Sequence, residues 1–247
     1  MFANPTEIEP IAGIGEPLSA ATHLLGGAVV LLLCRRLIRM GAGSASRTGS
    51  LAIFAFACVF QLFASGICHL LTPGTPAQLV LLHIDHAAIF ILIAATFTPV
   101  HAILFRGPWR WGMLAFIWTV AISGIVLKTV FASIMPIWLS ASLYLAFGWV
   151  ALISGVLLWY RHGFRFMALV LYGGLAYTFG VLLEAAMAAG GTIQLIPGFL
   201  GGHELFHLAV LLGMGMHWIF IRSFAAGNLP QLRSGLLVAN PLPARVS

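Results

Sequence analysis

Charge is what this sequence lacks. Of its 247 residues, 12 are Lys or Arg and 6 are Asp or Glu, whereas 61% are hydrophobic. A soluble domain would carry roughly a quarter charged residues. The shortage excludes an ordinary water-soluble fold and indicates an integral membrane protein with length for about seven spans of ~20 residues. Cysteine is also scarce. Cys34, Cys58 and Cys68 fall in or near apolar segments with no Cys-x-x-Cys spacing, which excludes a disulfide framework. Residues 1–16 hold no Lys or Arg but do hold Glu7, Glu9 and Glu16, so the first apolar segment is read as a retained span rather than a signal peptide. The net charge of +6 forms no basic patch, and nucleic acid is not an expected partner.

Seven apolar segments can be drawn, at about 18–38, 50–71, 80–104, 110–130, 136–160, 166–189 and 201–222. Short breaks rich in Gly, Pro, Ser or Arg separate them, so successive helices should alternate up and down in one bundle with no second domain. The expected fold is an all-α integral membrane protein, a seven-transmembrane-helix bundle over residues 18–222. A short N-terminal segment (1–17) precedes it and a polar C-terminal tail (223–247) follows. Gly and Ser recur inside the spans, where small residues let helices approach closely.

The charges are sorted by side. The connections after the odd-numbered spans hold every basic residue but one: Arg35, Arg36, Arg39, Arg47, Arg106, Arg110, Arg161, Arg165, Arg222, Arg233 and Arg245. The opposite side holds Lys128 alone. The positive-inside rule then predicts a cytoplasmic C-terminus and an outside N-terminus. All six acids, including Asp85, Glu184 and Glu204, fall toward the N-terminal face.

The same alternation gathers histidines. His69 ends span two, while His203 and His207 begin span seven, and all three can meet at one depth near the outer surface. His203 and His207 are four apart, on one helical face, the usual way for one helix to offer two nitrogens to a metal. Three imidazoles suit Zn²⁺ with an open fourth position. Asp85, an acid inside a span, is the candidate to hold or deprotonate water; Ser65, one turn before His69, is the candidate donor to water or to an oxyanion. A lone histidine near a span end is ordinarily an interfacial, hydrogen-bonded residue, and a lone serine a packing residue. The conjunction at one depth is what points to a site.

His203-Glu204-x-x-His207 also matches the string in which zinc peptidases use glutamate as base. The aspartate motif of intramembrane peptidases has no clear counterpart, and Glu204 is equally placed to cap the first turn of span seven. Pore formation or transport is weaker still. His101 and His217 are the main polar exceptions at depth, with no polar ladder across the membrane.

Several strings occur in a specific order. They are Glu16 with Thr22-His23-Leu24-Leu25-Gly26, then Ser65-Gly-Ile-Cys-His69, then Asp85-His86-Ala-Ala-Ile-Phe90 running to Ala94-Ala-Thr-Phe-Thr-Pro99. Gly173-Gly-Leu-Ala-Tyr177-Thr178 with Gly180, and His203-x-x-Phe206-His207 with His217, complete the set. Together they resemble the hemolysin III and progestin/adiponectin-receptor family, within a wider group that includes alkaline ceramidases. The resemblance implies a seven-helix bundle with one zinc ion, ligands at His69, His203 and His207, and a water-associated aspartate and serine at Asp85 and Ser65. Cys68 replaces a usual tyrosine and Ser19 a usual asparagine. Cys68 therefore enters as an alternative thiolate ligand, while Glu16 and His23 are read as supports from span one rather than as ligands. The receptors of the group place zinc toward the cytosol; the charge count here argues the opposite orientation.

The resulting expectation is a zinc-dependent hydrolase of a lipid-like amide or ester, in a plasma membrane of the bacterial inner-membrane type, with its site facing outward. The rival is a non-catalytic, zinc-stabilised sensor or receptor-like protein.

Overall fold

The computed structural model describes residues 10, 13–131 and 134–228. The expectations for most of segment 1–17 and of tail 223–247 lie outside the described residues. Among the described residues eight helices occur: α1 (Pro17–Met40), α2 (Ala45–Leu70), α3 (Pro76–Leu104), α4 (Pro108–Val130), α5 (Ile137–Trp149), α6 (Ala151–His162), α7 (Phe164–Ala188) and α8 (Gly202–Phe224). They make seven apolar spans, because α5 and α6 together form the fifth, Trp138–His162.

Several helices start earlier than their apolar runs. Pro17, Pro76 and Pro108 occupy first-turn positions, where the missing N–H costs nothing. Ser44 and Thr75 cap α2 and α3 by accepting from the backbone N–H groups of Arg47 and Gln78, each at 3.4 Å. The fifth span breaks at Val150, and Gly163, at φ 83°, turns α6 directly into α7. Between α7 and α8 the chain makes a two-stranded antiparallel ribbon, β1 (Gln194–Ile196) with β2 (Leu200–Gly201).

The helices form a ring in chain order, closed by α1 against α8. Apolar side chains such as Leu25, Leu32 and Phe56 point outward, as a lipid-facing surface requires. Where water supplies no drive, close packing holds helices together. A Cβ at Gly173 would strike the His217 ring, and one at Gly213 the Tyr177 ring, so these glycines set the α7–α8 approach.

The two ends of the bundle differ. Leu37, Leu51, Phe54, Phe105, Phe220 and Phe224 form a dense apolar cluster at the end where α1, α3 and α8 finish and α2 begins. The described arginines flank that end, where Arg110 reaches Ser46 and Arg161 lies over the Phe105 ring. The acidic end is where polar side chains converge.

Candidate metal centre

The converging group is four residues from three parts of the chain. His69 is the next-to-last residue of α2, and His203 and His207 occupy the first turns of α8. Glu16 precedes α1, and its placement has a local cause. The last carbonyls of a helix lack intrahelical partners. Two of those at the end of α2 accept from the incoming chain, His69 O from Glu16 N–H at 3.0 Å and Leu70 O from Gly15 N–H at 3.4 Å. A side chain at Gly15 would collide with the Leu71 carbonyl, so glycine permits the docking that carries Glu16 inward.

One ligand atom each from Glu16, His69, His203 and His207 lies within 4.8 Å of the others. Glu16 Oε2 is 2.6 Å from His69 Nδ1 and 3.2 Å from His203 Nε2. His203 Nε2 and His207 Nε2 face each other at 2.9 Å. Despite these close approaches, buried Glu16 Oε2 has no partner in hydrogen-bond geometry, and neither has buried His69 Nε2. Orphaned buried polar atoms are costly. A cation held among these donors satisfies them together, so the residues present fit a metal ion. Three nitrogens and one carboxylate match the preferences of Zn²⁺ rather than the all-oxygen shell of Ca²⁺.

A second layer orients the imidazoles. Glu184 Oε2, on α7, accepts from His203 Nδ1 at 3.0 Å, which leaves Nε2 facing the cluster. His23 does the equivalent for His207: its Nε2 lies 3.1 Å from His207 Nδ1, with the rings edge-on at 4.3 Å. Burial alone would raise the Glu16 carboxyl pKa, but the neighbouring His203 and His69 more than reverse this and hold it below the ordinary carboxylate range.

Asp85 is buried near the cluster and does not belong to the four-atom group. Its Oδ1 accepts from Gln61 Nε2 at 2.8 Å, and Ser65, one turn along α2, faces the same carboxylate. Sequence reasoning missed Gln61, because a single glutamine in an apolar helix belongs to no spacing motif. Glu16, read from the sequence as a support from span one, has its carboxylate against His69 and His203.

Other polar candidates go elsewhere. Glu204, 1% exposed, accepts the Gly201 backbone N–H at 3.0 Å on Oε2 and the Ser19 hydroxyl at 3.2 Å on Oε1. Both oxygens are therefore engaged at the start of α8. Cys68 points to Gln78, with Sγ 3.9 Å from its carbonyl oxygen. His101 binds the Trp109 carbonyl and Ser154, at the opposite end of the bundle. His217 faces the Val170 carbonyl at 3.2 Å.

A cavity of about 710 Å³ opens beside the cluster, lined by His69, Asp85 and His203 at one end and by Ser154, His217 and Phe220 at the other. Along α8 it follows the helix from His203 to Phe220, about 26 Å at 1.5 Å per residue. Leu, Ile, Val and Phe side chains dominate its walls between those ends. That size and composition suit a small amphiphile.

Known proteins resemble this chain over most of its length. The chain is 30% identical over 206 residues to Hemolysin-3 of Bacillus cereus, which covers 81% of this chain and 87% of that protein. It is also 30% identical over 169 residues to a Hemolysin-3 homolog of Bacillus subtilis (strain 168), covering 68% and 78% respectively. The family profile described as haemolysin-III related matches residues 14–218, from the segment that carries Glu16 to just past His217. The chain belongs to the haemolysin-III related family.

Proposed function

We propose that this protein is a zinc-dependent membrane hydrolase acting on a lipid-like amide or ester. The observation that carries the reading is the convergence of Glu16, His69, His203 and His207, two of whose buried atoms lack hydrogen-bond partners, at the head of a long apolar cavity. His69, His203 and His207 are the metal-holding side chains. When bound, zinc supplies polarisation of the scissile carbonyl and a lowered pKa for water. Asp85, held by Gln61, takes the proton, and Ser65 donates to the developing oxyanion. The apolar walls receive the acyl chain and exclude water from the reacting end. The relation to alkaline ceramidases that the sequence motifs suggest agrees with this chemistry.

The charge asymmetry supports an outward-facing site, with the N-terminus outside and the C-terminus in the cytoplasm. The host membrane in this reading is a plasma membrane of the bacterial inner-membrane type.

One observation favours a second reading. Structural zinc sites are closed by four protein ligands, and Glu16 supplies a fourth candidate donor. In that case zinc ties span one, through the segment that precedes it, to spans two and seven in a sensor or receptor-like protein. Elemental analysis of the purified protein, followed by turnover assays on ceramides and simpler acyl amides and esters, separates the two. One zinc per chain with turnover is expected. Zinc without turnover on any acyl lipid favours the sensor, and a folded, unchelated preparation without zinc overturns both.

A further inference from the structure

Among the described residues Lys128 is the one Lys or Arg at the acidic end of the bundle. It lies in the last turn of α4, where the helix carbonyls attract a cation. Its ammonium nevertheless turns inward: Nζ donates to Ser140 Oγ at 2.8 Å, and Ser140 is a buried hydroxyl on α5. Among the described residues no carboxylate lies within ion-pair distance of Nζ. The described acids at this end are engaged elsewhere, Glu16 and Glu184 with histidines, Asp85 with Gln61, and Glu204 with Gly201 and Ser19.

Lys128 and Ser140 line the same cavity as His69, Asp85 and His203. Tyr144, one turn beyond Ser140, lines it too, and its hydroxyl donates to the His86 carbonyl at 3.2 Å, which ties this wall to α3. A cation facing an apolar-walled cavity without a counter-ion is a costly arrangement that an incoming anion relieves. One ammonium and one hydroxyl, without an arginine fork, suit a single negative charge better than a phosphate dianion.

We propose that Lys128 and Ser140 form the head-group subsite of this cavity and select single-chain amphiphiles whose head carries a carboxylate. The assignment rests on the reading of the cavity as an acyl-lipid site. The amide or ester carbonyl then lies at the histidine and aspartate end, the tail along α8 toward Phe220, and the carboxylate against Lys128.

N-palmitoylglycine and N-palmitoylethanolamine share chain and amide and differ in head charge. Their affinities for the zinc-loaded protein in a non-ionic detergent are compared by calorimetry, beside turnover of each. The charged compound is expected to bind about tenfold more tightly, as for a single charge-assisted contact. Lys128→Gln is expected to abolish that preference without weakening the neutral compound, and Lys128→Arg to keep most of it. Equal affinities in the wild type, or a preference that survives in Lys128→Gln, would overturn the subsite. So would acetate competing as well as the lipid, because a simple anion site needs no tail. A preference intact without turnover of either compound supports the subsite while counting against hydrolysis of these amides.

Discussion

Gln61 Nε2 donates to Asp85 Oδ1 at 2.8 Å between two apolar helices. The match in depth follows from chain geometry. Gln61 lies nine residues before the end of α2 at Leu70, and Asp85 nine residues after the start of α3 at Pro76, about 14 Å of helix on each side of the same turn. A lone carboxylate at that depth would be expensive, and the amide both lowers the cost and fixes the oxygen's direction. Gln61→Leu removes the donor at nearly constant volume. The expected outcome is unchanged zinc content with a kcat about tenfold lower and little change in KM, measured by steady-state hydrolysis of an acyl amide. An equal effect on zinc content would mean that Gln61 supports the metal rather than the base.

Zinc bound among helices should also stabilise the bundle, because a ligand of the folded state shifts the unfolding equilibrium. His207 is 2% exposed and touches His203, His69 and His23. His207→Ala should lose the ion while the helical circular dichroism persists. A strong chelator should then lower the thermal midpoint of the wild type by several degrees and leave that of the variant unmoved. A chelator shift equal in both proteins would place the metal elsewhere.

Glu16 decides between the enzyme and the sensor. With three histidines as the ligands, Glu16→Gln keeps about one zinc per chain, with affinity reduced about ten- to a hundredfold through lost positioning. With Glu16 as an obligatory fourth ligand, the variant is purified essentially without zinc. Gly15→Val tests the same point without touching a donor. The new side chain cannot fit against the Leu71 carbonyl, so the segment carrying Glu16 must lift away from α2. The effect of Gly15→Val on zinc affinity should match that of Glu16→Gln, as read by competition with a chromogenic chelator.

The sequence made the spans legible because hydropathy and charge both break at the same places. It hid their first turns. Ala45 to Gly49 contain no apolar run, so α2 is drawn from residue 50, yet Ser44 caps a helix that already begins at Ala45. The three histidines and Asp85 could be placed at one end because alternation of the spans fixes depth. Which partners each finds is decided by rotation about each helix axis, which depth does not constrain. Gln61 and Glu184 were therefore invisible as partners of Asp85 and His203. The approach of Glu16 to the histidines was hidden for another reason: its position depends on backbone bonds to the end of α2, a long-range contact with no counterpart in local pattern.

Orientation is a separate test. Arg35, Arg36, Arg47, Arg106, Arg110, Arg161, Arg165 and Arg222 lie at or near the helix ends remote from the histidine cluster. The positive-inside rule predicts that this end faces the cytoplasm. A C-terminal fluorescent-protein fusion that matures only in the cytoplasm should fluoresce, whereas a C-terminal alkaline phosphatase fusion should be inactive. The reverse pair of results would turn the cluster toward the cytosol.

Glu204 offers the sharpest contrast between a motif and its surroundings. As the base of a peptidase-type site it would need a carboxylate oxygen free to take a proton from water. Here one oxygen accepts the Gly201 N–H and the other the Ser19 hydroxyl, so the side chain closes the first turn of α8 and joins it to α1. Glu204→Ala should therefore cost about 1–2 kcal/mol of stability, as loss of a buried cap does. Zinc content and turnover per folded molecule should stay within about twofold of wild type, whereas loss of a true general base costs about a hundredfold or more. Ser19→Ala removes only the bond to α1 and should give a smaller loss of stability, with activity again preserved. A large fall in kcat for Glu204→Ala in zinc-loaded, folded protein would restore the peptidase-like role that the hydrogen bonds of Glu204 argue against.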